Sequence, residues 1–70
     1  MNIAENIANN IYKFKTTLKL SYEAISHETG LGKVKIKRFV YQYQSPKVAE
    51  VEVLATYFGV EPIDFMTKKL

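Results

Sequence analysis

The stretch SYEAISHETGLGKVKIKRFVY, residues 21–41, decides the fold. Ser21 is suited to cap a helix, and Tyr22, Glu23 and Ala24 form a first turn with an acid near the positive end of the helix dipole. Gly30 ends that helix early, because a glycine at the C′ position takes the left-handed conformation with no Cβ penalty. Only three residues separate Thr29 from Lys33, so the next helix must start at once, near Gly32. Its apolar positions are Val34, Ile36, Phe39 and Val40, with a basic face of Lys33, Lys37 and Arg38 that Lys35 flanks. Two short helices joined through a glycine, the second one basic, form a helix-turn-helix pattern over about 21–41. Such helices cross steeply. Ser26 supplies the small residue where the backbones approach, Gly30 tolerates the positive φ of the turn, and Ile25 and Leu31 complete the local core.

Upstream, Ile3, Ile7, Ile11 and Phe14 recur at steps of four, four and three, which predicts a helix over Asn2 to Lys15 with Asn2 as its N-cap. Downstream, Gln42 to Ser45 breaks the pattern and Pro46 suits the first turn of a new helix. Val48, Val51, Leu54, Ala55 and Phe58 carry that helix and Gly59 closes it. Glu61-Pro62 starts a last short helix with Ile63, Phe65 and Met66. Five helices and no alternating strand predict an all-α domain over 1–70, with Ile3, Ile7, Ile11, Phe14, Ile25, Ile36, Phe39, Val51, Leu54 and Phe58 as its core.

Composition bounds the function. Ile, Val, Leu and Phe make up 21 of the 70 residues, enough for a thin core in a single domain. There is no cysteine and one histidine, which leaves no thiolate metal site and no Cys–His nucleophile. His27 reads as a surface residue. The seven carboxylates show no pair spacing suited to acid–base work, so no catalytic residue, metal or cofactor is assigned. No apolar run is long enough for a membrane span. Residues 29–49 hold Lys33, Lys35, Lys37, Arg38 and Lys47 and no acid, a local charge of +5, whereas the remainder sums to −2. A basic middle inside a slightly acidic frame points to a polyanion meeting one face. A solvated lysine-rich helix would carry the same charge.

The longer register resembles the phage-repressor and Cro-type helix-turn-helix family. Leu20-Ser21, Ile25, Gly30-Leu31, Ile36, Phe39, Pro46, Val48, Val51, Leu54-Ala55, Phe58-Gly59-Val60 and Phe65 match it without a gap from about Phe14 to Phe65. The resemblance implies a compact five-helix bundle of the lambda-repressor-like type, whose third helix, residues 32–41, enters the major groove of operator DNA. It implies a cytoplasmic protein of a bacterial host, with double-stranded DNA as partner and no small-molecule ligand. Lys33, Val34, Lys37 and Arg38 match outward positions of the family's recognition helix. Arg38 suits a guanine edge and Val34 a thymine methyl, while Lys33, Lys35 and Lys37 suit phosphates. Tyr22, Tyr43, Gln44 and Lys47 fall where the family meets the sugar-phosphate backbone.

Five positions depart from the family pattern. Tyr22 opens the second helix where a polar residue, often glutamine, is usual, and Gly32 stands where serine or threonine often caps the third. Lys15 and Val40 occupy the places of an arginine–glutamate pair, and Gln42 that of a loop glycine. On the template, Val40, Tyr41 and Val53 are apolar outside the expected core. With Phe65, Met66 and Leu70 at the end where the family commonly dimerises, they are candidates for a protein interface. Two functions follow as expectations: a small Cro-like regulator binding operator DNA, alone or as a homodimer, or an antirepressor that binds a cognate phage repressor and controls its DNA binding.

Overall fold

The computed structural model describes residues 2–70, so Met1, where the expected domain begins, lies outside them. Among these residues the elements are α1 (Ile3–Thr17), α2 (Tyr22–Thr29), α3 (Lys33–Val40), α4 (Val48–Phe58) and α5 (Pro62–Thr67). The all-α, five-helix expectation holds.

Each helix starts and stops for a local reason. The Asn2 and Ser21 side chains accept hydrogen bonds from the Glu5 and Ala24 N–H groups, both at 3.0 Å. Gly30 and Gly59 both sit at φ 75°, the left-handed conformation expected of Gly30. No atom lies within 4 Å of a Cβ built on Gly30, so its backbone angle, not crowding, is what demands glycine. Ser26 Oγ donates to the Leu31 carbonyl at 2.5 Å and ties the turn to α2.

Two helix ends use non-glycine residues in the same conformation. Lys19 (φ 55°) follows α1, and Gln42 (φ 62°) follows α3. At the latter, Tyr43 N–H bonds to the Arg38 carbonyl at 2.9 Å and Gln42 N–H to the Phe39 carbonyl at 3.2 Å. That is the Schellman pairing, and it holds a left-handed Gln42 against its steric cost.

The expectation for α4 needs a correction. Pro46 lies outside it, because Lys47 is the N-cap and Glu50 reaches back to accept the Lys47 N–H at 2.8 Å. Lysine offers no acceptor in return, so only the glutamate half of a capping box forms.

The core collects Ile7, Ile11, Ile25, Ile36, Phe39, Val51, Leu54, Ala55 and Phe65, all nearly or fully buried. Phe14 stacks on Phe58 at 5.0 Å between centroids, and both are half-buried against that cluster. Ile3, expected in the core, is 49% exposed. It lies in the first turn of α1, ahead of Asn6, whose side chain bonds to α5. Burial of each large core side chain stabilises by about 1.5–3 kcal/mol.

The contact between α1 and α5 is polar, and the apolar pattern does not reveal it. Asn10 is 1% exposed. Its Nδ2 donates to the Phe65 and Lys68 carbonyls at 2.9 and 2.7 Å, and its Oδ1 accepts from Leu70 N–H at 2.8 Å. Asn6 Nδ2 donates to the Met66 carbonyl at 3.0 Å. A helix leaves its last carbonyls without internal partners, and here two asparagines of a distant helix satisfy those of Phe65 and Met66.

Candidate nucleic-acid interface

The inward anchors of α3 fix what faces out. With Ile36 fully buried and Phe39 1% exposed, 100° steps along the helix turn Val34, Lys37, Arg38 and Tyr41 to the opposite side. Val34 and Tyr41 are each 58% exposed, and Lys33 and Arg38 are exposed as well. Gly32 caps the helix with backbone alone, so no side chain occupies the first amides. Arg38 makes no ion pair among the described residues.

The lysines are not equivalent. Lys33 Nζ lies 3.2 Å from Glu23 Oε1, an exposed pair that water screens. Lys35 was expected among the phosphate-facing lysines, but its Nζ turns to α4 and meets Glu50 Oε2 at 2.9 Å. Lys35 sits on the flank of α3, and Glu50 is the acid beside that flank. The Lys47 N–H holds the Glu50 carboxyl below the ordinary carboxylate value, and the Lys35 hydrogen bond adds to this despite the cost of burial. Lys37 points instead to Tyr22, with its Nζ 5.5 Å from the ring centroid.

Tyr22 is half-buried and packs against the core, and Lys15 of α1 also approaches its ring, at 4.6 Å. Burial pushes the Tyr22 phenol up, with smaller contributions from the Tyr41 and Tyr12 phenols near it. Tyr43 is 82% exposed and meets Tyr41 edge-on at 6.3 Å. Gln44 is half-buried, while the Lys47 side chain is exposed beside it. Lys33, Val34, Lys37 and Arg38 thus share one helix and Tyr22 joins them through Lys37, whereas Lys35 is drawn away.

The expected protein-contact residues divide. Phe65 is fully buried and is withdrawn from that group, since the asparagine contact with α1 pulls its helix onto the core. Val40, Met66 and Leu70 are half-buried and pack against the core. Tyr41 and Val53 remain exposed, Val53 in a shallow groove between α2 and α4 with Glu28, Glu52 and Tyr57. His27 is exposed, as read.

Sequence reasoning missed Lys15, Glu23 and Glu50 as partners of this surface. Glu50 had a signal, three residues after a helix start, where a carboxylate reaches back to the cap. Lys15 and Glu23 had none. Among the described residues no group of three or more His, Cys, Asp or Glu side chains could hold a metal, and no helix is long and apolar enough to cross a membrane.

No protein-family model matches the chain, and no curated protein matches it. Among solved structures it is similar to an HTH_3 family transcriptional regulator from Vibrio cholerae, with a TM-score of 0.80 and 22% sequence identity. The similarity covers 90% of this chain and 35% of the other, so this chain spans about a third of that protein's length. At that identity the similarity establishes a shared helix-turn-helix fold.

Proposed function

We propose that this protein is a transcriptional regulator that binds double-stranded operator DNA, with α3 lying in the major groove. The observation that carries this reading is the outer side of α3. An eight-residue helix anchored by Ile36 and Phe39 presents Val34, Lys37 and Arg38 together, with Lys33 at its open amino end. Arg38, exposed and without an ion-pair partner, is the residue assigned to a guanine edge, and Val34 to a thymine methyl. Lys33, Lys37 and Lys47 are assigned to phosphates, with Tyr43 and Gln44 beside them. The regulator is of the Cro-like, phage or mobile-element kind and acts by occupying its operator, as a monomer or a homodimer. The similarity to a transcriptional regulator supports the class.

The test is a mobility shift on DNA flanking the protein's own gene, with random duplex as competitor. A specific complex at low salt is expected, and its absence overturns the reading.

One observation favours a second role on the same fold. The centre of α3's outer side is Val34 and Tyr41, and Lys35 is paired with Glu50 on its flank. An exposed apolar and aromatic centre also suits a protein partner, here a cognate phage repressor whose DNA binding would be controlled by the contact. Co-expression with the repressor encoded beside it decides. A complex that blocks operator binding supports this role, and failure to form any complex removes it.

A further inference from the structure

The groove between α2 and α4 carries acid with no internal partner. Glu28 of α2 and Glu52 of α4 line this space of about 540 Å³, together with the apolar surface of Ala49, Val53 and Tyr57. Among the described residues the ion pairs are Lys33–Glu23, Lys35–Glu50 and Lys68–Asp64, so neither Glu28 nor Glu52 has a counter-charge. Val53 is 39% exposed, so the apolar lining is open. Such a groove is complementary to an apolar side chain that stands beside a cation.

The exposed apolar side chains of this chain sort by the charge next to them. Ile3 and Ile63 stand beside Glu5 and Asp64, acids that two carboxylates repel. Tyr12 neighbours Lys13, whose Nζ already donates to the Leu70 carbonyl. Val34, Tyr41, Tyr43 and Val48 lie on α3 or close to its end, beside the lysines assigned to DNA. Leu18 remains. It is 54% exposed, and Lys19 next to it is exposed and in no ion pair among the described residues. Lys19 holds φ 55°, an angle that glycine takes with less strain at Gly30 and Gly59, so the turn by itself does not account for a lysine. Leu18 precedes the amino end of α2, and Glu28 lies near the carboxyl end of that eight-residue helix, about 12 Å long. The knob and the groove are therefore held apart within one chain and are free to meet between two.

We propose that the groove between α2 and α4 docks the α1–α2 turn of a second copy of this chain. Leu18 of one molecule packs on Val53 and Tyr57 of the next, and its Lys19 meets Glu28 and Glu52. The two surfaces differ, so the contact runs head to tail, and every pair keeps one free groove and one free turn for further copies. A two-residue knob in a shallow groove is small against the roughly 1,200–2,000 Å² of a stable interface. Its charges are exposed and screened by salt. Association is therefore weak and concentration-dependent. No residue of the contact is assigned to DNA, so the proposal stands whatever α3 binds.

The test follows amide and methyl resonances of the protein on dilution from about 2 mM to about 0.05 mM, a range that brackets a dissociation constant near 1 mM. Concentration-dependent shifts are expected at two separate places, Leu18–Lys19 and Glu52–Val53–Tyr57, and should shrink at high salt. Lys19→Glu should abolish both sets, and so should Glu28→Lys combined with Glu52→Lys. The triple variant exchanges the charges across the contact and should regain them. Lys19→Gly removes the side chain from a turn that glycine suits, so it should melt no lower than wild type and still lose the shifts. That variant carries the test if a charge reversal unfolds the chain. The proposal is overturned by a wild type whose spectrum does not change with concentration, or by shifts confined to any other face. Shifts in the groove without shifts at Leu18–Lys19 overturn it too, as do a Lys19→Gly variant that associates like wild type and a folded triple variant that associates no better than Lys19→Glu.

Discussion

Replacing Asn10 by alanine removes a side chain from one helix and opens the end of another. The side chain is 1% exposed and makes three hydrogen bonds, to the Phe65 and Lys68 carbonyls and from the Leu70 N–H. The bond to Phe65 is buried and the other two are partly so. A buried acceptor left bare costs about 1–3 kcal/mol, and each bond that water can replace loses about 0.5–1.5 kcal/mol, which gives about 2–6 kcal/mol in all. A domain of 70 residues has on the order of 3.5–10 kcal/mol of stability at about 0.05–0.15 per residue, so the variant loses a large share of it. Urea denaturation followed by circular dichroism reads the loss as a lower midpoint, and hydrogen exchange of the α5 amides shows where it starts. Asn10→Asp should be worse at neutral pH, since it turns a charged acceptor toward two carbonyls. It should recover part of the difference from wild type in acid, where the carboxyl is protonated and regains one donor. An Asn10→Ala midpoint within about 0.5 kcal/mol of wild type would refute the view that this side chain holds α5 to α1.

Four further outcomes are expected. Gln42→Gly should stabilise the fold by up to about 1 kcal/mol in thermal melts, because glycine relieves the positive φ while adding freedom to the unfolded chain. Glu50 has a folded-state pKa below its ordinary value of 4.5, so its contribution is fully present above that value and is lost as pH falls through the lowered one. Urea midpoints should therefore drop in acid for the wild type and drop less for Glu50→Gln. Glu23→Gln frees Lys33 from its carboxylate and should steepen the salt dependence of duplex binding by up to about 0.9, as measured by fluorescence anisotropy. Arg38→Ala should weaken specific binding by about 1–3 kcal/mol and leave random-sequence binding less affected, and an equal loss on both assigns Arg38 to phosphate.

The elements were legible where their causes are local. Asn2 and Ser21 as caps, Gly30 and Gly59 as left-handed stops, and the inward stripe of Ile36 and Phe39 all depend on neighbours within four or five residues. The same logic gave the outward positions of Val34, Lys37 and Arg38 once the inward ones were known. It faltered at Pro46, because the start of α4 is set by a carboxylate three residues past the cap, a competing signal in the same stretch. At Ile3 it faltered because periodicity marks a stripe without saying how far the neighbouring helices extend along it.

By itself the sequence determined the five helices, the glycine turn between α2 and α3, the basic third helix and the family of folds it resembles. Hydrogen-bond capping, side-chain periodicity and backbone angles act over a turn or two of chain and leave their marks in order. Only the tertiary structure decided which charges are spent and which are free. Lys35 and Glu50 are 15 residues apart in sequence, and Lys15 and Lys37 are farther apart still, yet one pair closes on itself while the other opens around Tyr22. The same holds for Phe65, drawn inside by an asparagine 55 residues away. A charge or a polar amide can pair with any opposite group that packing brings within about 4 Å, and that distance is set by how helices cross.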